Sequence, residues 1–233
     1  MQIEVYGSGS KGNAYKISDG KTQILIDCGL PFREIQKKCG FKMSQIDACL
    51  VSHDHLDHSK AVKDLLHAGT DVYTSQGTIA IRNFKGHRLH VIKALEEFKV
   101  GTFKVLPFDV EHDAPEPLGF LLTSTATREK LLYFTDTFYI KYTFKGLTHI
   151  MCECNYSEEG IRKSIEAGYI PVELAARLFK SHMSIENLVE TLKVNDLTNV
   201  KQIYLLHMSD NNGEELRFKR EVQQISGVEV YVC

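Results

Sequence analysis

The segment Ser52-His53-Asp54-His55-Leu56-Asp57-His58 places three imidazoles and two carboxylates within seven residues. The packing of a soluble core does not call for that density, because every such group needs a partner when water is withdrawn from it. Neutral imidazole and carboxylate are the donors that borderline divalent ions such as zinc, manganese and iron accept. The run follows Ile46-Asp47-Ala48-Cys49-Leu50-Val51, whose apolar character reads as a short buried strand. In an extended exit from that strand, His53 and His55 project to the same side. Asp57 and His58 then fall where the chain turns into the apolar-periodic segment Ala61-Val62-Leu65-Leu66, a helix by its spacing. One loop thus offers two ligands to one ion and two to a neighbouring ion. The fold must place a metal site at a strand end.

Bulk properties exclude more than they assign. At 233 residues the chain suits one sizeable domain, 1–233. Its 43% hydrophobic and 25% charged residues are ordinary for a globular protein, and a formal net charge of −2 advertises neither nucleic acid nor membrane globally. No apolar run approaches the ~20 residues that span a bilayer. The six cysteines are scattered, and Cys49, Cys152 and Cys154 lie in apolar runs, as reduced buried thiols do. With no signal peptide in the sequence, these features predict a cytoplasmic protein.

Strand signals dominate the first half, over 1–6, 14–18, 23–27, 71–74, 87–91 and 98–110, with short helices over 32–39 and 76–82. Residues 119–124, 130–135, 149–154 and 202–207 are further strands. Helical periodicity takes over from 158 to 194, broken at 168–171, and Ser184 has the place of a helix N-cap. A last helix covers 214–225 and a closing strand 228–232. Interleaved strands and helices predict a layered α/β architecture.

Several apolar strands end in a residue of ligand type. Asp27 ends Ile24-Leu25-Ile26, His53 follows Leu50-Val51-Ser52, and His112 follows Pro107-Phe108-Asp109-Val110-Glu111. Asp136 ends Leu131-Leu132-Tyr133-Phe134-Thr135, and His207 ends Ile203-Tyr204-Leu205-Leu206. Strand ends gathered on one edge of a layered fold are a general location for sites.

On these residues the chain resembles the metallo-β-lactamase-fold hydrolases, whose dinuclear site is assembled from five short motifs. The resemblance implies an αββα sandwich. Asp27 matches the first motif as a carboxylate behind the ligands. His53, His55, Asp57 and His58 match the second, His112 the third, Asp136 the fourth and His207 the fifth. One ion would then be held by His53, His55 and His112, the other by Asp57, His58 and His207, with Asp136 bridging. A closer resemblance, to the WalJ/YycJ subgroup of exonucleases of this fold, rests on Gly7-Ser8-Gly9-Ser10-Lys11-Gly12-Asn13, Leu25-Ile26-Asp27-Cys28-Gly29-Leu30 and His112-Asp113-Ala114-Pro115-Glu116-Pro117-Leu118-Gly119. Glu153-Cys154-Asn155, Ser181-His182-Met183-Ser184 and Leu206-His207-Met208-Ser209-Asp210-Asn211-Asn212 add to it. Tyr156 and Ser181 depart from the subgroup, which usually has histidine and glycine there. Only 46 positions separate Asp136 from His182 (182 − 136), too few for the β-CASP insert of RNase J-like relatives.

The resemblance implies a metal-dependent hydrolase holding two divalent ions, zinc or manganese, with iron also admitted by the donors. Such a pair generates hydroxide at neutral pH and clamps the attacking and leaving oxygens of an in-line displacement. Asp57 would orient a metal-bridging hydroxide as nucleophile. His182 tilts the expectation to phosphodiesters, since it adjoins the cap Ser184, where a helix start favours an anion and an imidazole can protonate a leaving oxygen. Ser8, Ser10, Asn13, Asn155, Ser184, Ser209 and Asn211 are weaker candidates for binding substrate. The cluster Arg33, Lys37, Lys38 and Lys42, four positive charges against Glu34, suits either a nucleic-acid backbone or a solvated helix face. The leading expectation is a nuclease with DNA as partner, a 5′-to-3′ exonuclease by resemblance. The alternatives are a phosphodiesterase of cyclic or small nucleotides, a lactone, lactam or thioester hydrolase, and a regulatory protein that has kept only the fold.

Overall fold

A computed structural model describes residues 1–208 and 214–233, in two compact units. The first comprises Met1–Asp109 and Ala114–Glu129. Its main sheet runs β1 (Gln2–Gly7), β2 (Ala14–Ser18), β3 (Gln23–Ile26), β4 (Ala48–Leu50), β5 (Asp71–Thr74) and β6 (Leu89–Val91), in that order. The first three strands pair antiparallel across tight turns, and from β3 onward the pairing is parallel. Parallel neighbours need crossovers, and helices supply them. They are α1 (Phe32–Lys38) after β3, α2 (Leu56–Ser59) and α3 (Val62–His67) after β4, and α4 (Gln76–Arg82) after β5. Strand β4 is buried throughout, as a strand covered on both faces must be. Ile35, Val62 and Leu65 from the crossover helices pack with Leu25, Cys49, Val51 and Val72 of the sheet region.

Three more strands, β7 (Phe98–Val100), β8 (Phe103–Asp109) and β9 (Leu118–Ser124), form an antiparallel meander. The single strand expected over 98–110 is therefore two. The break is Gly101, whose φ of 53° lies in the left-handed region and whose added Cβ would come within 2.2 Å of Thr22 Oγ1. Only glycine satisfies both demands.

The second unit comprises Val110–Asp113 and Lys130–Cys233. Strands β10 (Lys130–Phe134), β11 (His149–Glu153), β12 (Gln202–Leu206) and β13 (Glu229–Val232) pair in parallel in that order. The helical stretch after β11 resolves into α5 (Glu158–Glu166), α6 (Val172–Ser181) and α7 (Ile185–Val194), and α8 (Glu215–Ser226) precedes β13. The expected break at 168–171 separates α5 from α6, and a second break, at 182–184, isolates His182 between α6 and α7. Ser184 caps α7 as expected, its Oγ accepting from Asn187 N at 3.1 Å. Between Asp136 and His182 the described residues hold one strand and two helices, with no inserted domain. No described helix is long and apolar enough to cross a membrane.

Candidate metal centre

In the first unit, four donors crowd the exit of β4. Asp27, at the end of β3, takes a left-handed backbone (φ 56°) and is fully buried. Its Oδ1 accepts Ser52 N at 2.8 Å, and its Oδ2 lies 3.0 Å from Ser52 Oγ and 2.8 Å from His58 Nδ1. The carboxylate fixes the proton of His58 on Nδ1 and presents Nε2 as the ligand atom, the usual arrangement behind a metal-binding imidazole. His53 is held in the same way at one remove. Its Nδ1 lies 3.0 Å from Ser52 Oγ, whose own proton goes to Asp27. The His53 ring centroid is 4.7 Å from that of His55 and 4.2 Å from that of His58. His55 stands immediately before α2 and Asp57 in its first turn, both half-buried. Tethered imidazoles with a carboxylate beside them fit a divalent ion.

The loop that carries them is locked from below. Asn13 N donates to Asp57 O at 2.7 Å, Gly29 N to Asn13 O at 2.8 Å, and Cys28 N to His58 O at 2.8 Å. Asn13, buried, also accepts from Gly9 N and Tyr15 Oη and donates to Gly9 O and Asp57 O. Its Nδ2 lies 3.0 Å from His58 Nε2, so an ion at His58 would take over the lone pair that this amide addresses. The expected pocket residue is thus a knot between two loops. Ser8 Oγ lies 3.1 Å from Tyr15 Oη, and Ser10 is exposed.

The second unit gathers His112, Asp136, Glu153, His182 and His207. His112 donates from Nδ1 to Ser181 O at 3.1 Å and points Nε2 toward Asp136 Oδ2, 3.7 Å away. Asp136 ends β10 with φ 49°, and His207 ends β12 with φ 51°. His207 Nδ1 lies 3.7 Å from Asp136 Oδ1, so two imidazoles flank the two oxygens of one carboxylate. Ligand atoms of Asp136, Glu153, His182 and His207 lie within 4.8 Å of one another, a spacing compatible with a metal ion.

Glu153 is the residue that sequence reasoning missed as a site component. It is fully buried at the end of β11. Its Oε2 accepts the backbone N–H groups of Thr137 (3.0 Å) and Met183 (3.2 Å), while Oε1 is 2.6 Å from His182 Nδ1 and 3.4 Å from His207 Nδ1. Burial by itself would raise its pKa, but the charge and hydrogen bond of His182 outweigh that and hold it low. Burial likewise opposes protonation of His182, and Glu153 again wins, raising the imidazole above its ordinary value. The signal was a charged residue closing the buried run 149–154, where a carboxylate needs a cationic partner.

His182 is placed by this carboxylate and by its neighbours in the chain. Asn155 N donates to Met183 O and Ile185 N to Tyr156 O, so residues 182–185 run along the extension of β11. The ring stacks on His207 (centroids 5.4 Å apart, planes 6° apart) and meets His112 edge-on at 5.9 Å. Asn155, expected to line the pocket, ties β11 to His207 through its Nδ2, 2.8 Å from His207 O and 3.2 Å from Nδ1. Tyr156, where the subgroup has histidine, is buried against Phe179. Cys152 and Cys154 sit in the core with thiol pKa values pushed up by burial. Ser209 and Asn211 lie outside the described residues.

Residues 22–208 match the family model of the beta-lactamase superfamily domain. The exodeoxyribonuclease WalJ of Streptococcus pneumoniae serotype 2 (strain D39) is 28% identical over 249 residues, covering 100% of this chain and 91% of that protein. The exodeoxyribonuclease YycJ of Bacillus anthracis is 27% identical over 232 residues, covering 93% of this chain and 86% of that protein. Among solved structures, the metallo-beta-lactamase fold protein YhfI from Bacillus subtilis superposes with a TM-score of 0.76 at 17% identity, over 99% of this chain and 95% of that one.

Proposed function

Because the chain belongs to the beta-lactamase superfamily and is a hydrolase of the metallo-β-lactamase fold, we propose that it is a dinuclear metal-dependent phosphodiesterase acting on DNA, one domain from 1 to 233. By the resemblance, His53, His55 and His112 would hold one ion and Asp57, His58 and His207 the other, with Asp136 able to serve either and Asp27 orienting His58. Zinc or manganese fits these nitrogen and oxygen donors. When bound, the pair supplies a hydroxide at neutral pH and neutralises charge on the phosphoryl oxygens.

The chain's own groups do the rest. Asp57 orients the attacking oxygen and takes its proton. His182, with Nδ1 held by Glu153, keeps its second proton on Nε2 and delivers it to the leaving alkoxide, a contribution of about 10²–10⁴-fold. The pair of Glu153 and His182 is the observation that carries the reading, because a carboxylate-backed imidazolium serves a poor alkoxide leaving group. The exodeoxyribonuclease names of the relatives favour DNA and an exonucleolytic mode. The 5′-to-3′ direction belongs to this reading through the resemblance of the sequence motifs alone, and the cytoplasmic location through the sequence alone.

The test is a panel in which purified protein with manganese or zinc meets 5′-phosphorylated linear DNA, RNA, bis(p-nitrophenyl) phosphate and cyclic nucleotides. Shortening of DNA from its 5′ end is expected. Cyclic nucleotides cleaved while DNA stays intact would move the assignment to small nucleotides. Full nuclease activity in Asp57→Ala or His182→Ala would sink the mechanism.

A further inference from the structure

Two residues after Asp136 begins the run Phe138-Tyr139-Ile140-Lys141-Tyr142-Thr143-Phe144-Lys145, four aromatic rings and two lysines in eight residues of a chain that is 9% aromatic. Core packing accounts for only one of the four rings, Phe144. Ile140 and Phe144 are buried, but Tyr139 is 53% exposed, Tyr142 is half-buried, and both lysines face water. The segment belongs to no helix or strand, yet it is pinned. Asn187 Nδ2 donates to Phe138 O at 3.1 Å, Phe144 N donates to Asn195 Oδ1 at 2.7 Å, and Thr137 Oγ1 donates to Tyr139 O at 2.9 Å. Side chains of α7 and of its C-cap, Asn195, thus fix the backbone on either side of an exposed ring before any ligand arrives.

Between this segment and α7 lies a groove of about 310 Å³, walled by Tyr139, Lys141 and Tyr142 on one side and Asn187, Glu190 and Thr191 on the other. Lys141 Nζ sits 5.3 Å from the Tyr142 ring centroid, which keeps a cation beside an aromatic face at the rim. The one carboxylate of the wall, Glu190, is offset by Lys193 at 2.8 Å. The volume is near the smallest of ligand pockets, enough for a nucleoside and far too little for a duplex. Tyr139 is three positions after Asp136, a chain path of at most about 10 Å.

We propose that this groove takes an unpaired nucleotide next to the scissile phosphate, its base stacked on Tyr139 and its backbone phosphate drawn by Lys141. Stacking platforms edged by cations are how proteins hold single strands without reading sequence. The inference rests on the nuclease reading and deepens it, since it makes the substrate class nucleic acid with a single-stranded end.

Binding is measured on the full chain in EDTA, so that nothing is cleaved, by the anisotropy of a labelled oligothymidylate. Tyr139→Ala is expected to bind about 5- to 100-fold more weakly, the loss of one stacked base, and Tyr139→Phe to bind as the parent does. The chain has no tryptophan, so Tyr139→Trp adds a single indole. Its emission is expected to be quenched by oligothymidylate and left unchanged by heparin, which has charge without bases. Parent-like affinity in Tyr139→Ala, no binding by the parent, or equal quenching by heparin overturns the proposal. The nuclease reading is scored separately, by the parent protein with manganese on DNA and on bis(p-nitrophenyl) phosphate. DNA cut by a parent whose Tyr139→Ala variant binds normally rejects the groove alone. Oligothymidylate held through Tyr139 but never cut, with the diester also intact, rejects the nuclease alone.

Discussion

Gly29→Ala tests how the ligand loop is held, and its cost can be worked from distances. A Cβ on Gly29 would stand 1.7 Å from Asp57 O, 2.1 Å from Asp57 C and 2.8 Å from His58 N, all backbone atoms that cannot rotate away. Ordinary van der Waals contact begins at 3.4 Å, so Asp57 O, 1.7 Å from the new Cβ, must move away by about 1.7 Å. That movement breaks the bonds from Cys28 N to His58 O and from Gly29 N to Asn13 O, both 2.8 Å and both among buried groups. Two lost bonds cost roughly 2–4 kcal/mol, and the strain of overpacking adds about 1–3 kcal/mol. A total near 4 kcal/mol lowers the melting temperature of a chain this size by about 8–16 °C. Metal-free protein followed by circular dichroism gives that number, and manganese calorimetry reports the accompanying displacement of Asp57 and His58 as weakened binding. Gly40→Ala is the control. Gly40 has a φ of 61° but nothing within 4 Å, so it costs only about 1–2 kcal/mol of left-handed backbone strain. A Gly29→Ala variant that melts within 2 °C of the parent would refute the account of the loop.

Three further outcomes follow from the same geometry. Asp27→Asn turns an amide donor toward His58 Nδ1 and drives the imidazole proton to Nε2, so manganese affinity in a calorimetric titration should fall about 10- to 100-fold. Glu153→Gln removes the charge that sustains the His182 imidazolium, and turnover of DNA should drop at least about 100-fold, with a smaller loss on bis(p-nitrophenyl) phosphate, whose leaving group needs no proton. Asp19 governs acid stability. Burial alone would raise its pKa, but the hydroxyls of Ser124 and Thr102 and the backbone N–H groups of Thr22 and Lys21 lower it to about 2. A depressed carboxyl pKa stabilises the fold fully above the unfolded value near 3.9, and that stability drains away as pH falls toward 2. Asp19→Asn should therefore flatten the urea-stability curve between about pH 4 and pH 2 by about 1–2 kcal/mol, allowing for screening of this half-buried group.

The donors at strand ends were legible because a carboxylate or imidazole closing an apolar run has no packing role to explain it. That pattern marks Asp27, His53, His112, Asp136 and His207 from residue type and position alone. Glu153 is harder to see because it closes a strand inside a Glu-Cys-Asn motif, and the partner that explains its charge, His182, lies 29 positions away. Asn13 and Asn155 show the opposite limit. Residue type marks a group able to bind substrate, but only the contacts show its donors and acceptors engaged within the protein. The split of β7 from β8 was hidden for a local reason, since one glycine inside an apolar run carries no periodicity signal while its φ of 53° ends the strand.

Asp27, Asp136 and His207 all hold a backbone conformation that side-chain-bearing residues avoid, at roughly 1–3 kcal/mol apiece. Glycine would sit there with less strain. A population of variants screened for folding alone would drift toward glycine at 27, 136 and 207, and only a screen for turnover would hold the present residues in place. Sequence change at these three positions is therefore a record of which pressure a descendant of this chain has been under.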